Sequence, residues 1–193
     1  MKRSCCKGCI GPAGFTLVEI LVVVVIIAVL AAIALPQYQK AVTKSRMAKM
    51  QMMLAEVVTA ANAYYLQYRK YPTSFDDLDL KFSLEKLATP SCGSNLNNHK
   101  AALKGDGFEI SLADVYLNRY NYAAVYFTTG EYKCRGWIHF FRYPEYPGAE
   151  KHTFCSEFYH KRACGSGCDQ GILCKNVMGK SKWKYYIALT YLY

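Results

Sequence analysis

An uninterrupted apolar run near the start of the chain is the dominant feature of its hydrophobic pattern. The run extends from residue 15 to residue 35, and Glu19 is its only charged residue. As a helix these residues would be about 31 Å long, which matches the hydrocarbon core of a bilayer. A cleaved secretory signal has a shorter apolar region than this. The pattern therefore predicts a retained membrane-spanning helix over residues 15–35.

The next part of the chain, residues 36–70, alternates apolar and polar positions with the period of a helix. Because proline has no amide hydrogen, Pro36 is expected to kink or locally melt the helix just outside the bilayer. A helix that continues from Phe15 to about Tyr68 would be about 80 Å long. We expect its second half to lay one apolar stripe on a globular body, formed by Met47, Met50, Leu54, Val57, Ala61, Tyr64 and Tyr68.

A proline and two hydroxyl residues mark the end of this helix. Pro72 disfavours helical backbone at Tyr71, the residue before it. Thr73 or Ser74 can then begin a short turn, with acidic side chains following at residues 76–77. The helix is therefore predicted to end near residue 70.

The body, residues 71–193, contains short runs of aromatic and β-branched residues that are typical of strands. Turn-forming residues separate these runs, which favours an antiparallel meander over a parallel sheet with crossover helices. The predicted fold class is α+β, a long N-terminal helix packed on a small antiparallel β-sheet. The strands are predicted at residues 108–112, 121–128, 136–141 and 184–189.

The chain is basic, with a formal net charge of +10. Lys2, Arg3 and Lys7 lie in the first fourteen residues, where no acid balances them, so without that segment the net charge is +7. A basic body favours anionic partners such as lipid headgroups, nucleic acid or acidic polysaccharide. Its many tyrosines are expected to pack on the sheet and to form a half-polar surface. The alternative is that exposed tyrosines bind DNA or a surface ligand, because tyrosine rings also serve recognition surfaces.

The cysteines form two groups. Three of them precede the apolar run, at residues 5, 6 and 9, and we expect these to be discarded with the leader segment described below. An even number in an exported body suggests up to three disulfide bonds, although the sequence does not select among the fifteen pairings. Zinc is the alternative, because His152 and His160 lie nearby, but paired CxxC knuckles are absent and no metal is expected. The six predicted disulfide cysteines are Cys92, Cys134, Cys155, Cys164, Cys168 and Cys174.

Motifs of catalysis are absent from the sequence. It contains no GxSxG nucleophile elbow, no phosphate-binding GxxxxGK, no HExxH and no Gly-rich dinucleotide fingerprint. We therefore predict a protein that is not an enzyme and that carries no cofactor, with a membrane-anchored enzyme as the alternative.

Glu19 is the exception in the apolar run. A carboxylate inside a lipid-facing helix costs roughly 2.5 to 3.5 kcal/mol on insertion scales, and it is expected to find a partner. We expect no partner for it nearby in the sequence. One interpretation is that the side chain lies close enough to the helix end to reach the lipid headgroups.

The segment Gly14-Phe15-Thr16-Leu17-Val18-Glu19, with the apolar run, Pro36 and Gln37-Tyr38 after it, closely resembles the prepilin signature of type IV pilins and type II secretion pseudopilins. The resemblance covers roughly residues 7 to 50. It implies that residues 1–14 are a leader, that a prepilin peptidase cuts between Gly14 and Phe15, and that the new amino group of Phe15 is N-methylated. It also implies that Glu19 neutralises the charged N-terminus of Phe15 on a neighbouring subunit, which would supply its partner.

The same resemblance implies a structural subunit of a type IV pilus or pilus-like filament, built by an assembly platform in the bacterial inner membrane. The chain would cross that membrane once with a cytoplasmic N-terminus and a periplasmic body, and would then join an extracellular filament. The region from Cys155 to Cys174 looks like the C-terminal disulfide loop of such pilins. The alternatives are a type II secretion pseudopilin and a DNA-uptake pilin. The pilus subunit is favoured over the pseudopilin because no Asp-rich calcium loop is present near the C-terminus.

Overall fold

The computed structural model describes residues 14–87, 90–92, 99–115, 120–142, 153–157, 173–179, 183–186 and 189–192. The chain divides into two compact units, Met1–Val42 and Thr43–Tyr193. One long helix, α1, extends over Leu17–Tyr68 and so belongs partly to each unit. Its bounds agree with the predicted helix from Phe15 to about Tyr68.

The first unit contains the apolar half of α1. Among the described residues, α1 is the one helix that is long and apolar enough to cross a membrane. The large apolar side chains from Leu17 to Leu35 are exposed within the chain. The backbone stays helical through Pro36, so the alternative of a locally melted turn is wrong, because loss of one backbone hydrogen bond does not stop a helix with good helix formers on both sides. The kink at Pro36 stays a prediction.

The second unit buries the predicted stripe of α1. Met47, Met50, Leu54, Val57 and Ala61 are all buried. Tyr64 is half-buried, but Tyr68 is 52% exposed, so its prediction as a stripe residue is wrong. Tyr68 is the last residue of α1, and its ring lies 4.5 Å from that of Tyr64. It therefore extends the aromatic surface of the helix end and does not enter the core.

The end of α1 follows the predicted signals. Arg69 has a φ of 55° and its N–H donates to the carbonyl of Tyr65 at 2.8 Å, which is the left-handed cap common at helix ends. Ser74 then caps a short 3-10 helix, Phe75–Asp77. The Ser74 hydroxyl accepts from the Asp76 N–H at 3.1 Å, and the Asp77 carboxylate accepts from the Ser74 N–H at 3.1 Å. The predicted turn is confirmed.

In the part of the chain that the structure describes, eight antiparallel strands form the sheet. Their order is β1-β2-β3-β4-β5-β6-β8-β7, a meander followed by one exchange at the end. The α+β prediction is therefore confirmed. The strands are β1 Glu85–Leu87, β2 His99–Lys104, β3 Phe108–Val115, β4 Tyr120–Phe127, β5 Arg135–Arg142, β6 Thr153–Glu157, β7 Trp183–Tyr186 and β8 Leu189–Leu192.

Three of the four predicted strands correspond to β3, β4 and β5. The fourth, residues 184–189, is wrong as a single strand, because β7 and β8 are separate strands that pair with each other. The sequence interpretation also missed β1, β2 and β6. These are short or rich in lysine and alanine, so they are strands because of their pairing and not because of local propensity.

The sheet has two buried faces. One face packs on the stripe of α1 through alternate residues of β3, β4 and β5, and the Trp137 indole N–H donates to the Met47 carbonyl at 2.9 Å. The opposite face carries a second apolar cluster that includes Tyr126 and Phe140. At Gly136 a Cβ would lie 1.9 Å from the Val125 carbonyl oxygen. Only glycine therefore allows β5 to approach β4 at this point.

An aromatic stack joins the end of α1 to the sheet. The rings of Tyr65 and Tyr71 lie 4.6 Å apart and are stacked, and those of Tyr71 and Phe141 lie 4.8 Å apart in the same way. The Tyr71 hydroxyl also donates to the Phe141 carbonyl at 3.3 Å. The stack holds the chain after α1 against β5.

Candidate assembly site at the helix N-terminus

The predicted cleavage point lies in exposed, non-helical backbone. Gly14, Phe15 and Thr16 precede α1, and a Cβ at Gly14 would have no neighbour within 4 Å. The Phe15 side chain is 77% exposed. An accessible, non-helical segment is what a peptidase needs, because the scissile backbone has to enter its active site.

Glu19 and Thr16 form a capping box at the start of α1. The Glu19 Oε2 atom accepts the Thr16 N–H at 2.8 Å and the Thr16 hydroxyl at 2.7 Å. In return the Thr16 Oγ1 accepts the Glu19 N–H at 3.3 Å. Two backbone N–H groups that the helix leaves without partners are thereby satisfied.

This arrangement corrects one expectation, that Glu19 has no partner nearby in sequence. Thr16 is that partner, and the T-x-x-E spacing of the capping box was a signal for it that the sequence interpretation missed. The position also suits the charge, because the N-terminus of a helix carries a partial positive charge that stabilises an acid. Within a single chain Glu19 is therefore not an isolated carboxylate.

The cysteines of the body form two disulfide bonds among the described residues. Cys92 bonds to Cys134, on the second apolar cluster, and Cys155 bonds to Cys174, on the face that packs against α1. Cys164 and Cys168 lie outside the described residues, as do His152 and His160 of the zinc alternative. In the described part of the chain no three His, Cys, Asp or Glu side chains are grouped as metal ligands.

A buried acidic residue next to the first disulfide was not predicted. Glu109 is 1% exposed, and its carboxylate accepts the Ser91 N–H at 2.8 Å, the Ser91 hydroxyl and the Tyr126 hydroxyl at 3.2 Å. Burial raises the pKa of Tyr126, and the nearby Glu109 charge raises that pKa further. Since Ser91 precedes Cys92, the carboxylate holds the backbone that leads into the Cys92–Cys134 bond.

Comparison with known proteins finds one protein family whose model matches the N-terminal segment. Residues 12–35 match the protein family described as the prokaryotic N-terminal methylation motif. The match contains Gly14, Phe15, Thr16 and Glu19, the residues of the site described above.

Curated relatives then identify the kind of protein that this chain is similar to. It is 34% identical over 94 residues to the type IV major fimbrial protein FimA of Dichelobacter nodosus, covering 49% of this chain and 58% of that protein. It is 36% identical over 59 residues to the type IV major pilin protein PilE1 of Neisseria gonorrhoeae, covering 31% of this chain and 36% of that protein. The chain thus spans a little more than half of the length of the first relative and about a third of the length of the second. No solved structure matches it. The resemblance to type IV pilins is confirmed.

Proposed function

We propose that this protein is a structural subunit of a type IV pilus or pilus-like filament, held together by the apolar half of α1. The observation that carries this proposal is the exposed apolar helix that starts with the Thr16–Glu19 capping box. Such a surface is stable only in lipid or against other apolar helices. The matched relatives, which are named as pilins and fimbrial proteins, support the filament.

Maturation is proposed to follow the motif. Residues 1–14 act as a leader, a prepilin peptidase cuts between Gly14 and Phe15, and the new amino group of Phe15 is methylated. The amino group then lies one residue before the capping box, at the same end of the helix as the Glu19 carboxylate. Removal of the leader thus converts a neutral peptide link into a positive charge beside the site.

Assembly is proposed to pair that charge with Glu19 of a neighbouring copy. Opposite charges attract strongly where the dielectric constant is low, and either charge left alone there is penalised. Before assembly the Thr16 N–H and hydroxyl serve as the partners of Glu19. The capping box therefore allows the acid to stay in the membrane until a second subunit arrives.

The topology and the partners complete the proposal. The N-terminus is cytoplasmic, the body is periplasmic, and an assembly platform in the bacterial inner membrane moves subunits into an extracellular filament. The described residues favour neither DNA nor a surface ligand for the body, and both stay predictions. The pseudopilin and DNA-uptake alternatives are not favoured, because the relatives named above carry pilus and fimbrial names.

The experiment compares three variants in cells, with sheared surface filaments and membrane protein measured separately. Glu19→Ala should insert and be processed at the wild-type level but give few filaments. Glu131→Ala removes an exposed acid from the body and should assemble normally. Thr16→Val removes only the capping hydroxyl, so a filament yield near wild type would separate charge pairing from helix capping.

Mass spectrometry of the mature protein should show an N-terminus at Phe15 carrying one added methyl group. A mature chain that begins elsewhere would contradict the proposed maturation. Normal filament yield from Glu19→Ala would contradict the proposed assembly.

A further inference from the structure

Burial of Glu109 carries a cost that an apolar side chain at the same position would not. Glu109 lies on β3 and is 1% exposed. A carboxylate moved from water into an apolar environment is penalised unless hydrogen bonds compensate it. Replacing such a group by an apolar side chain of similar volume is often neutral or stabilising. The hydrogen bonds of Glu109 therefore indicate a role besides stability.

Two of those hydrogen bonds come from a segment that lies 18 residues before Glu109 in the sequence. The Glu109 carboxylate accepts the Ser91 N–H at 2.8 Å and the Ser91 hydroxyl, and we call this pair the Ser91 clamp. The Tyr126 hydroxyl on β4 donates to the same carboxylate at 3.2 Å, so a neighbouring strand holds Glu109 in place. Because Cys92 directly follows Ser91, the clamp fixes one cysteine on the sheet.

The partner cysteine is fixed separately, by the turn between β4 and β5. The Cys134 N–H donates to the Phe127 carbonyl at 2.8 Å, and the Lys133 N–H donates to the Gly130 carbonyl at 3.2 Å. Cys134 has a φ of 60°, a left-handed conformation that is uncommon for residues other than glycine. The turn therefore sets the position of Cys134, through contacts that do not involve Cys92.

The two cysteines differ in their accessibility to an oxidant. Cys92 is 8% exposed, whereas Cys134 is half-buried, so a dissolved disulfide meets Cys134 more readily. Thiol–disulfide exchange passes through a mixed disulfide, which a second thiol must then resolve. Which thiol does so depends on its effective concentration near the mixed disulfide. The body contains four other cysteines that compete for this step, Cys155, Cys164, Cys168 and Cys174.

We propose that Glu109 is a positioning residue for disulfide formation, which holds Cys92 through the Ser91 clamp so that this thiol resolves the mixed disulfide of Cys134. The carboxylate takes no part in the exchange itself. It raises the effective concentration of the Cys92 thiol beside Cys134 and thereby selects one pairing among those that the sequence allows. The inference does not depend on the proposed filament.

The exchange needs a disulfide as oxidant. The Cys134 thiolate attacks one oxidant sulfur and forms a mixed disulfide, and the other oxidant sulfur leaves as a thiolate. The Cys92 thiolate then attacks the Cys134 sulfur, forms the Cys92–Cys134 bond and releases the second oxidant sulfur as a thiolate. Two cysteines are thereby oxidised and the oxidant is reduced to two thiols, which take up the two protons that the cysteines lose.

Reoxidation of the full-length protein in detergent micelles tests the role of Glu109. The protein is reduced in urea, returned to native buffer with oxidised glutathione, quenched in acid at intervals and mapped by mass spectrometry. In the wild type, glutathione should appear on Cys134 and then be replaced by the Cys92–Cys134 bond. Glu109→Leu removes both acceptors of the clamp and should slow this replacement by about tenfold or more, with Cys134 diverted to other cysteines. Glu109→Gln keeps a carbonyl oxygen that accepts from Ser91, and should stay within about threefold of the wild-type rate.

Ile110→Val separates positioning from stability. Ile110 is fully buried in the cluster that packs on α1, so the variant destabilises the body by an amount comparable to a lost hydrogen bond and leaves the clamp intact. It should form the Cys92–Cys134 bond at the wild-type rate. Ser91→Ala removes only the clamp hydroxyl from an exposed residue, and should slow the replacement by about threefold even if Glu109→Leu does not fold.

Three results would overturn the proposed role. They are a wild-type rate of resolution in Ser91→Ala or Glu109→Leu, glutathione that accumulates on Cys92 in place of Cys134, and a change of pairing in Ile110→Val as large as that in Glu109→Leu. The last result would mean that any loss of stability misdirects the cysteines.

Discussion

Substitution of Tyr126 by phenylalanine measures how much the buried carboxylate of Glu109 contributes to the stability of the body. The substitution removes one of the three hydrogen bonds that the Glu109 carboxylate accepts. It leaves the aromatic ring of the fully buried residue 126 in place. No cavity is created, so the packing term is small. The expected effect is therefore almost entirely the lost hydrogen bond.

The magnitude follows from the burial of the acceptor. A hydrogen bond to a charged group contributes about 1.5 to 3 kcal/mol net, and Glu109 is 1% exposed, so water cannot replace the missing hydroxyl. With a slope of about 2 kcal/mol per molar urea, the unfolding midpoint should fall by about 1 M. A loss of about 1.5 to 3 kcal/mol is a large part of the free energy of about 5 to 15 kcal/mol that keeps a typical domain folded.

The assay is urea unfolding of the full-length protein in detergent micelles, followed by circular dichroism and tyrosine fluorescence. Tyr68→Phe is the matched control, since it removes the hydroxyl of an exposed tyrosine and should change the free energy of unfolding by less than about 0.5 kcal/mol. In a Glu109→Leu background, Tyr126→Phe should lose most of its effect, because the acceptor is gone. A Tyr126→Phe variant as stable as the control would refute the reasoning.

Three further outcomes are expected for the body. Burial raises the pKa of Tyr122, so the stabilisation from this side chain is present below about pH 10 and is lost at higher pH, where the tyrosine of the unfolded chain ionises. A plot of the free energy of unfolding against pH should therefore fall less steeply at alkaline pH for Tyr122→Phe than for wild type. The Lys86 hydrogen bond lowers the pKa of Asp76, so the stabilisation from this pair is present above about pH 4 and is lost on acidification. The free energy of unfolding of Lys86→Met should therefore be lower than that of wild type at neutral pH and equal to it at the acid end. Replacing Cys155 and Cys174 by serine opens a bond with a sequence separation of 19, and calorimetry should show a loss of about 3 kcal/mol.

The sequence predicted the elements whose periodicity extends over several turns or repeats. The stripe from Met47 to Ala61 is buried as expected, because its three- and four-residue steps are maintained over four helical turns. The central strands were predicted for the same reason, since aromatic and β-branched residues continue along each of them. Short strands such as β1 and β6 have too few residues to show a period.

The site was predictable where its chemistry is local. The resemblance at Gly14, Phe15 and Glu19 was readable from adjacent residues, and the T-x-x-E cap was readable from a fixed spacing that the interpretation overlooked. The burial of Glu109 was not readable, because alternation along β3 places it on the face opposite the helix, where an acid would normally meet water. The pairing of Cys92 with Cys134 depends on contacts 42 residues apart, which no local pattern encodes.

The bare apolar half of α1 has a consequence for how a filament could grow and shrink. A helix that moves from lipid into a bundle of identical helices exchanges one oily medium for another, so dehydration contributes little to the difference. The direction of that transfer is then decided by a few polar contacts and by shape. Small changes to such contacts would switch the same polypeptide between a dispersed pool and a polymer, without any need to refold it.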